Sequence, residues 1–235
     1  MINFQVLREN YQHVMENVAQ AAKRSGRNSS DVMLLPVTKT QDVGTISLAY
    51  DLGMRHAGEN RVQEILAKKP LLPPDLDFHL IGHLQKNKVR QILGQVSLIH
   101  SVDSFELAEV IEKEAAKKDL TVRILLEINA AEEESKFGIS LSEALPMAER
   151  VAVLPHVHLE GLMTVAPYVA DPEENRKVFR DMHDIFVDIR DKRIDNVNMV
   201  VLSMGMTNDY QVAIEEGANL VRVGTGIFGE RNYPK

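Results

Sequence analysis

The apolar run Val32-Met33-Leu34-Leu35-Pro36-Val37-Thr38 ends in Lys39 and is followed by a polar turn, Thr40-Gln41-Asp42. A buried strand that delivers one amine at its carboxyl end suits nucleophilic attack on a carbonyl. Apolar walls disfavour the ammonium form and leave more free amine to react. On this stretch alone, a strand that simply meets solvent at a lysine is the plain alternative. Two later segments carry a second chemistry. Ser203-Met204-Gly205-Met206-Thr207-Asn208-Asp209 and Arg222-Val223-Gly224-Thr225-Gly226 each close an apolar strand with small and hydroxyl residues. Such loops let backbone N–H groups approach an anion, and a helix N-terminus adds favourable potential. Each alone is also a common turn.

Bringing these groups together requires a fold that gathers distant strand ends. The 235 residues are 44% hydrophobic, enough for one sizeable core. Leu7, Tyr11, Val14, Met15, Val18 and Ala22 recur at helical spacing, and Ser25-Gly26 stops that first helix. Short strands are expected at 32–38, 55–59, 78–82, 96–101, 122–129, 158–164, 199–203 and 220–223, with helical patterns between them. Pro36 is awkward in the first strand, because a central strand needs its N–H. Pro146 interrupts the helix after the fifth. Asp103-Ser104-Phe105-Glu106 has capping-box spacing, and Asp171-Pro172 caps the helix bearing Val178, Met182, Ile185, Phe186 and Ile189. Eight strand–helix units of roughly thirty residues favour a single-domain (β/α)8 TIM barrel over 1–235, with an N-terminal helix before it. A doubly wound open sheet is the alternative.

In such a barrel the active site lies at the carboxyl ends of the strands. Lys39, Asn60, His83, Thr164 and the loops at 101–103, 129–136, 203–208 and 224–225 then share one mouth. Loops seven and eight are where these barrels commonly hold a phosphate. A lysine nucleophile beside a phosphate cradle points to a phosphorylated aldehyde held as a Schiff base, with pyridoxal 5'-phosphate the leading candidate. Arg222 and Val223 alternate across their strand, so one of them points into the mouth. Arg222 is either an ion-pair partner within the barrel or a donor to the cofactor's pyridine nitrogen. As a donor it would keep that nitrogen unprotonated and the ring a poor electron sink.

Other functions are disfavoured. A net charge of -7 argues against nucleic-acid binding, so the basic helix expected from Gln85 to Leu93, with Gln85-Lys86-Asn87-Lys88-Val89-Arg90, reads as a solvated face. Without cysteine there is no disulfide, thiolate catalysis or Cys-ligated zinc. No apolar run approaches a membrane span, and the first helix, with Arg8, Glu9 and Glu16, is not a secretory signal. A cytoplasmic protein is expected. His156 and His158 have ligand spacing but fall at the start of a strand, away from the mouth. His79 and His83 fall near opposite ends of theirs, too far apart for one ion. No metal site is expected.

The motifs together resemble the pyridoxal phosphate homeostasis proteins. They are Val37-Thr38-Lys39-Thr40, Gly58-Glu59-Asn60-Arg61-Val62-Gln63-Glu64, residues 78–88, Ser135-Lys136-Phe137-Gly138-Ile139, Gly161-Leu162-Met163-Thr164, residues 202–209 and residues 222–229. The match runs in order over nearly the whole chain. It implies a barrel related to the N-terminal domain of alanine racemase that binds pyridoxal 5'-phosphate without an established reaction. By the resemblance, Lys39 is the Schiff-base lysine and Arg222 the partner of the ring nitrogen. Ser203, Met206, Thr207, Gly224 and Thr225 form the phosphate cradle, and Asn60 sits beside the ring. Thr38 and Thr207 stand where the motifs often carry serine, which keeps the hydroxyl, and His83 occupies a variable position.

Two functions follow. One is a carrier or buffer in pyridoxal phosphate homeostasis, with apo-enzymes as possible recipients and a monomer expected. The other is an amino-acid racemase or decarboxylase of the same fold. Racemising relatives add a C-terminal β-domain that supplies a second base. Here the sequence ends within ten residues of Gly226 with only Tyr233 near the end, which favours the carrier. Lys136 is a further candidate, as a transient acceptor of the aldehyde.

Overall fold

The computed structural model describes residues 2–131, 133 and 137–230. Lys136, Ser135 and Tyr233 lie outside the described residues. The chain order is α1 (Phe4–Arg24), β1 (Met33–Pro36), α2 (Val43–Asp51), β2 (His56–Glu59), α3 (Val62–Lys68), β3 (Asp77–Leu80), α4 (Val89–Ile92), β4 (Leu98–Val102), α5 (Phe105–Ala116), β5 (Val122–Glu127), α6 (Ala144–Ala152), β6 (Val157–Met163), α7 (Arg176–Lys192), β7 (Val197–Ser203), α8 (Tyr210–Glu215), β8 (Leu220–Val223) and α9 (Thr225–Phe228). The eight strands are parallel and ordered β1-β8-β7-β6-β5-β4-β3-β2. A bridge between Val37 and Gly58, with the Thr38 N–H donating to the Gly58 carbonyl at 2.9 Å, joins β1 to β2 and closes the ring. This is the expected (β/α)8 barrel with a helix before it.

Local chemistry accounts for the irregularities. In β1, the Val37 N–H bonds to Val223 on β8 and the Thr38 N–H to Gly58 on β2. The alternation turns Pro36 toward β2, where pairing amounts to that single bridge, so its missing donor breaks little of the ladder. Pro146 falls in the first turn of α6, where no intrahelical N–H is needed. The capping box expected from Asp103 does not form. Ser104 is the N-cap of α5, and its hydroxyl donates to Asp103 Oδ1 at 3.2 Å while Asp103 Oδ2 meets His83. Asp171 accepts from the Glu173 N–H at 3.0 Å and caps a 3-10 turn, Pro172–Asn175, that runs into α7. The basic segment is a 3-10 turn, Lys86–Lys88, continued by only the four residues of α4.

Helix α1 is capped by Asn3, which accepts from the Gln5 N–H at 2.8 Å. It buries Leu7, Val14, Val18, Ala21 and Ala22 and packs on α8 and α9, beneath the last two βα loops. Met15 stays exposed, so the buried stripe is centred nearer Ala21 than the spacing implies. No helix among the described residues is long and apolar enough to cross a membrane.

Candidate functional site

The turn that presents Lys39 is built by a buried ionic cluster. Lys39 itself is half-buried, two residues beyond the Val37 bridge, and Thr40 takes a positive φ of 67°. Lys68 reaches up from α3 to donate to the Thr38 carbonyl at 3.1 Å, to Glu59 Oε1 at 2.8 Å and to Glu64 Oε2 at 2.7 Å. Glu59 also accepts from the Thr38 hydroxyl at 2.6 Å, and Glu64 from the Thr40 N–H at 2.9 Å. The backbone on both sides of Lys39 is thus pinned by side chains from β2 and α3. Burial pushes the Glu59 carboxyl above its usual range, and the bonds from Lys68 and Thr38 oppose that shift.

On the adjacent strand, Arg222 of β8 pairs in register with Leu35 on β1 and is buried. Its guanidinium donates to Ser203 Oγ at 2.5 Å and to the Thr164 carbonyl at 2.7 Å, so β6 and β7 both fix its plane. Burial lowers its pKa to about 10, with Glu127 and Asp209 holding it up, and it stays a cation at neutral pH. Glu127, at the carboxyl end of β5, is raised to about 7 by burial and by Asp103, with Arg222 opposing. Its Oε2 is buried without a hydrogen-bond partner. Behind Arg222, Ser203 Oγ meets His100 Nδ1 at 3.0 Å, and His100 Nε2 meets His79 Nδ1 at 3.0 Å. A polar chain therefore descends from the mouth into the barrel core.

The loops after β7 and β8 form the third wall. Gly205 has φ +87°, and a Cβ there would fall 2.5 Å from that of Ala213, so the turn demands glycine. Asp209 Oδ1 accepts from the Met206 N–H at 2.7 Å, and Oδ2 from Asn175 Nδ2 at 2.9 Å. Asn175 also donates to the Pro167 carbonyl at 2.9 Å, tying the loop after β7 to that after β6. Thr207 Oγ1 accepts from the Gly224 and Gly226 N–H groups, each at 3.3 Å, and so joins the last two loops.

These walls enclose a cavity of about 480 Å³ lined by Lys39, Arg222, Tyr168, Thr207, Asp209 and Thr225 among others. Of the residues singled out from sequence, Lys39, Met206, Thr207, Arg222, Gly224 and Thr225 line it together. Ser203 does not line it, because its hydroxyl is turned inward to Arg222 and His100. Asn60 is also outside the lining. It packs against Gly82 so closely that a Cβ on Gly82 would fall 2.5 Å from the Asn60 carbonyl. Tyr168, Glu127 and His100 were not singled out, the last because it stands inside the apolar run of β4, whereas Thr164, placed at the mouth from sequence, offers its carbonyl to Arg222. Two cationic side chains and two threonine hydroxyls in a space this size match a small anionic ligand that carries a carbonyl.

Comparison with known proteins agrees with this chemistry. The family model for the alanine racemase N-terminal domain matches residues 9–232. A pyridoxal phosphate homeostasis protein from Aquifex aeolicus is 42% identical, over 96% of this chain and 98% of the relative. A crystal structure of an unknown protein from Bifidobacterium adolescentis superposes with a TM-score of 0.92 at 37% identity, covering 97% of this chain and 98% of that one. PipY of Synechococcus elongatus, solved with pyridoxal phosphate bound, superposes with a TM-score of 0.78 at 32% identity, covering 90% of this chain and 100% of that one.

Proposed function

The chain belongs to the pyridoxal phosphate homeostasis family, and on that premise we propose that it binds pyridoxal 5'-phosphate in the barrel mouth and serves as a carrier rather than a catalyst. The observation that carries this reading is the single cavity shared by Lys39, Arg222 and the loops after β7 and β8. When bound, the cofactor supplies an aldehyde that a lysine amine captures reversibly as a Schiff base. Lys39 is the capturing amine, set by the Glu59–Lys68–Glu64 cluster. Arg222 faces the ring as a fixed cation that disfavours a second positive charge on the ring nitrogen. Thr207, Gly224 and Thr225 supply hydroxyl and backbone donors for the phosphate, and Met206 walls the cavity beside them. Ser203 acts on the cofactor through Arg222, and Asn60 through the packing of the β2 and β3 loops.

The carrier reading rests on which acid–base groups line the cavity. Racemisation needs a second proton-transfer group opposite the lysine. Asp209 is committed to the Met206 N–H and to Asn175, and Arg222 stays protonated. Tyr168 is 92% exposed, out at the rim. Loaded protein mixed with a pyridoxal-phosphate-dependent apo-enzyme tests the proposal. Reconstitution faster than the cofactor leaves into buffer is the expected result. Racemisation or decarboxylation of amino acids that disappears in Lys39→Ala would instead establish the enzyme.

A further inference from the structure

At the opposite end of the barrel, three side chains outside the cofactor site converge. His56 begins β2, Asp77 stands beside it in register at the start of β3, and His79 follows two residues on, on the same face as Asp77. His56 Nδ1 lies 3.5 Å and His79 Nε2 3.4 Å from Asp77 Oδ2, and the three donor atoms all lie within 4.8 Å of one another. Four-coordinate zinc with bonds of ~2.0–2.1 Å separates its ligand atoms by roughly 3.3 Å along each tetrahedral edge. The triad already has that spacing at two of its edges. His56 Nδ1 is buried and makes no hydrogen bond.

The surroundings are those of a metal site as well. Metal-bound imidazoles commonly commit their second nitrogen to an outer partner, and ligating carboxylates are themselves hydrogen-bonded. His79 Nδ1 meets His100 Nε2 at 3.0 Å, and Asp77 Oδ2 accepts from Ser97 Oγ at 2.8 Å. Arg123, the neighbouring cation, is neutralised by Glu160 through hydrogen bonds of 2.6 and 2.5 Å. His79 is nearly buried, whereas the His56 and Asp77 side chains are 33% and 36% exposed, which leaves an entry path and room for a water ligand.

We propose that His56 Nδ1, Asp77 Oδ2 and His79 Nε2 form a binding site for a zinc-class divalent cation at the amino-terminal end of the barrel. The site is joined to the mouth by hydrogen bonds. With a cation on His79 Nε2, the proton must sit on His79 Nδ1 and point to His100. His100 then carries its proton on Nδ1 and donates to Ser203 Oγ, the oxygen that also receives Arg222. Without the cation, His79 Nε2–H donates to Asp77 and the chain runs the other way, with Ser203 donating to His100. Cation binding therefore reverses a hydrogen-bond relay that ends on the residue holding Arg222.

Calorimetric titration of the chelator-treated full chain with zinc tests the site, with cobalt absorption reporting coordination. The expected result is one equivalent bound and the intense visible bands of four-coordinate cobalt. His56→Gln, at a partly exposed position that meets Asp77 and the edge of the His79 ring, should weaken binding about 100-fold or more, at least the loss caused by an outer-shell partner. His158→Gln, at the start of β6, should bind as the unmodified chain does. Circular dichroism confirms that each variant is folded. Absence of a saturable equivalent, or binding that survives in folded His56→Gln, overturns the assignment.

Discussion

Glu127 gives the residue scale its sharpest pH dependence. Its carboxyl is raised from an ordinary 4.5 to about 7, mainly by burial. Between those values the folded chain keeps a proton that the unfolded chain has lost, so stability falls as pH rises through this window. Below 4.5 both states are protonated and the penalty vanishes. Glu127→Gln is therefore expected to stabilise the protein by about 3 kcal/mol at pH 8 and by nothing at pH 4. Thermal midpoints roughly 9 °C apart at pH 8 and coincident at pH 4 are the measurement; coincident midpoints at both values contradict the assignment. Individual side chains were unevenly legible in the sequence. Lys39 and Arg222 announce themselves because each is a cation set at the end of an apolar run. His100 does not, because a buried histidine within β4 leaves no trace in periodicity and acquires meaning only once Ser203 and His79 are its neighbours.

At the scale of elements, α3 does more than cover the barrel. Its last residue, Lys68, is the cation between Glu59 and Glu64, and it also holds the Thr38 carbonyl. Lys68→Met leaves the fully buried Glu59 without its ammonium partner, and breaking such a pair costs about 3 kcal/mol or more. We expect a lower denaturant midpoint and weaker cofactor retention in that variant. Adding Glu59→Gln should recover part of the stability, since the stranded charge is then gone; a double variant no more stable than the single one would contradict this account. The strands were legible because parallel strands buried on both faces read as continuous apolar runs. Their ends moved by a few residues, as β1 did when its regular ladder stopped at Pro36, with Val37 bonded to Val223 and bridged to Gly58 and Thr38 bonded to Gly58 on β2. The basic segment read as a full helix because its composition suits one, yet α4 is short and preceded by a 3-10 turn. Helix α9, four residues after Gly224, is too brief for any periodic signal.

For the whole molecule, the barrel separates two kinds of chemistry along one axis. The carboxyl end gathers Lys39, Arg222 and the loops after β7 and β8 from residues far apart in sequence, and the pairing of β8 with both β1 and β7 is what makes them neighbours. The amino end gathers His56, Asp77 and His79, and the polar relay through His100 runs between the two. The number and order of strands alone sufficed to foresee the mouth. The lower cluster was invisible, because His56 and Asp77 meet only through the register of β2 with β3. The central claim concerns Lys39, and borohydride reduction of the protein loaded with pyridoxal 5'-phosphate, followed by peptide mapping, tests it most directly. The account predicts one equivalent of reduced cofactor on Lys39 and loss of the bound-cofactor absorbance in Lys39→Ala. Label on another lysine with Lys39 unmodified, or an unchanged absorbance band in the variant, would contradict it.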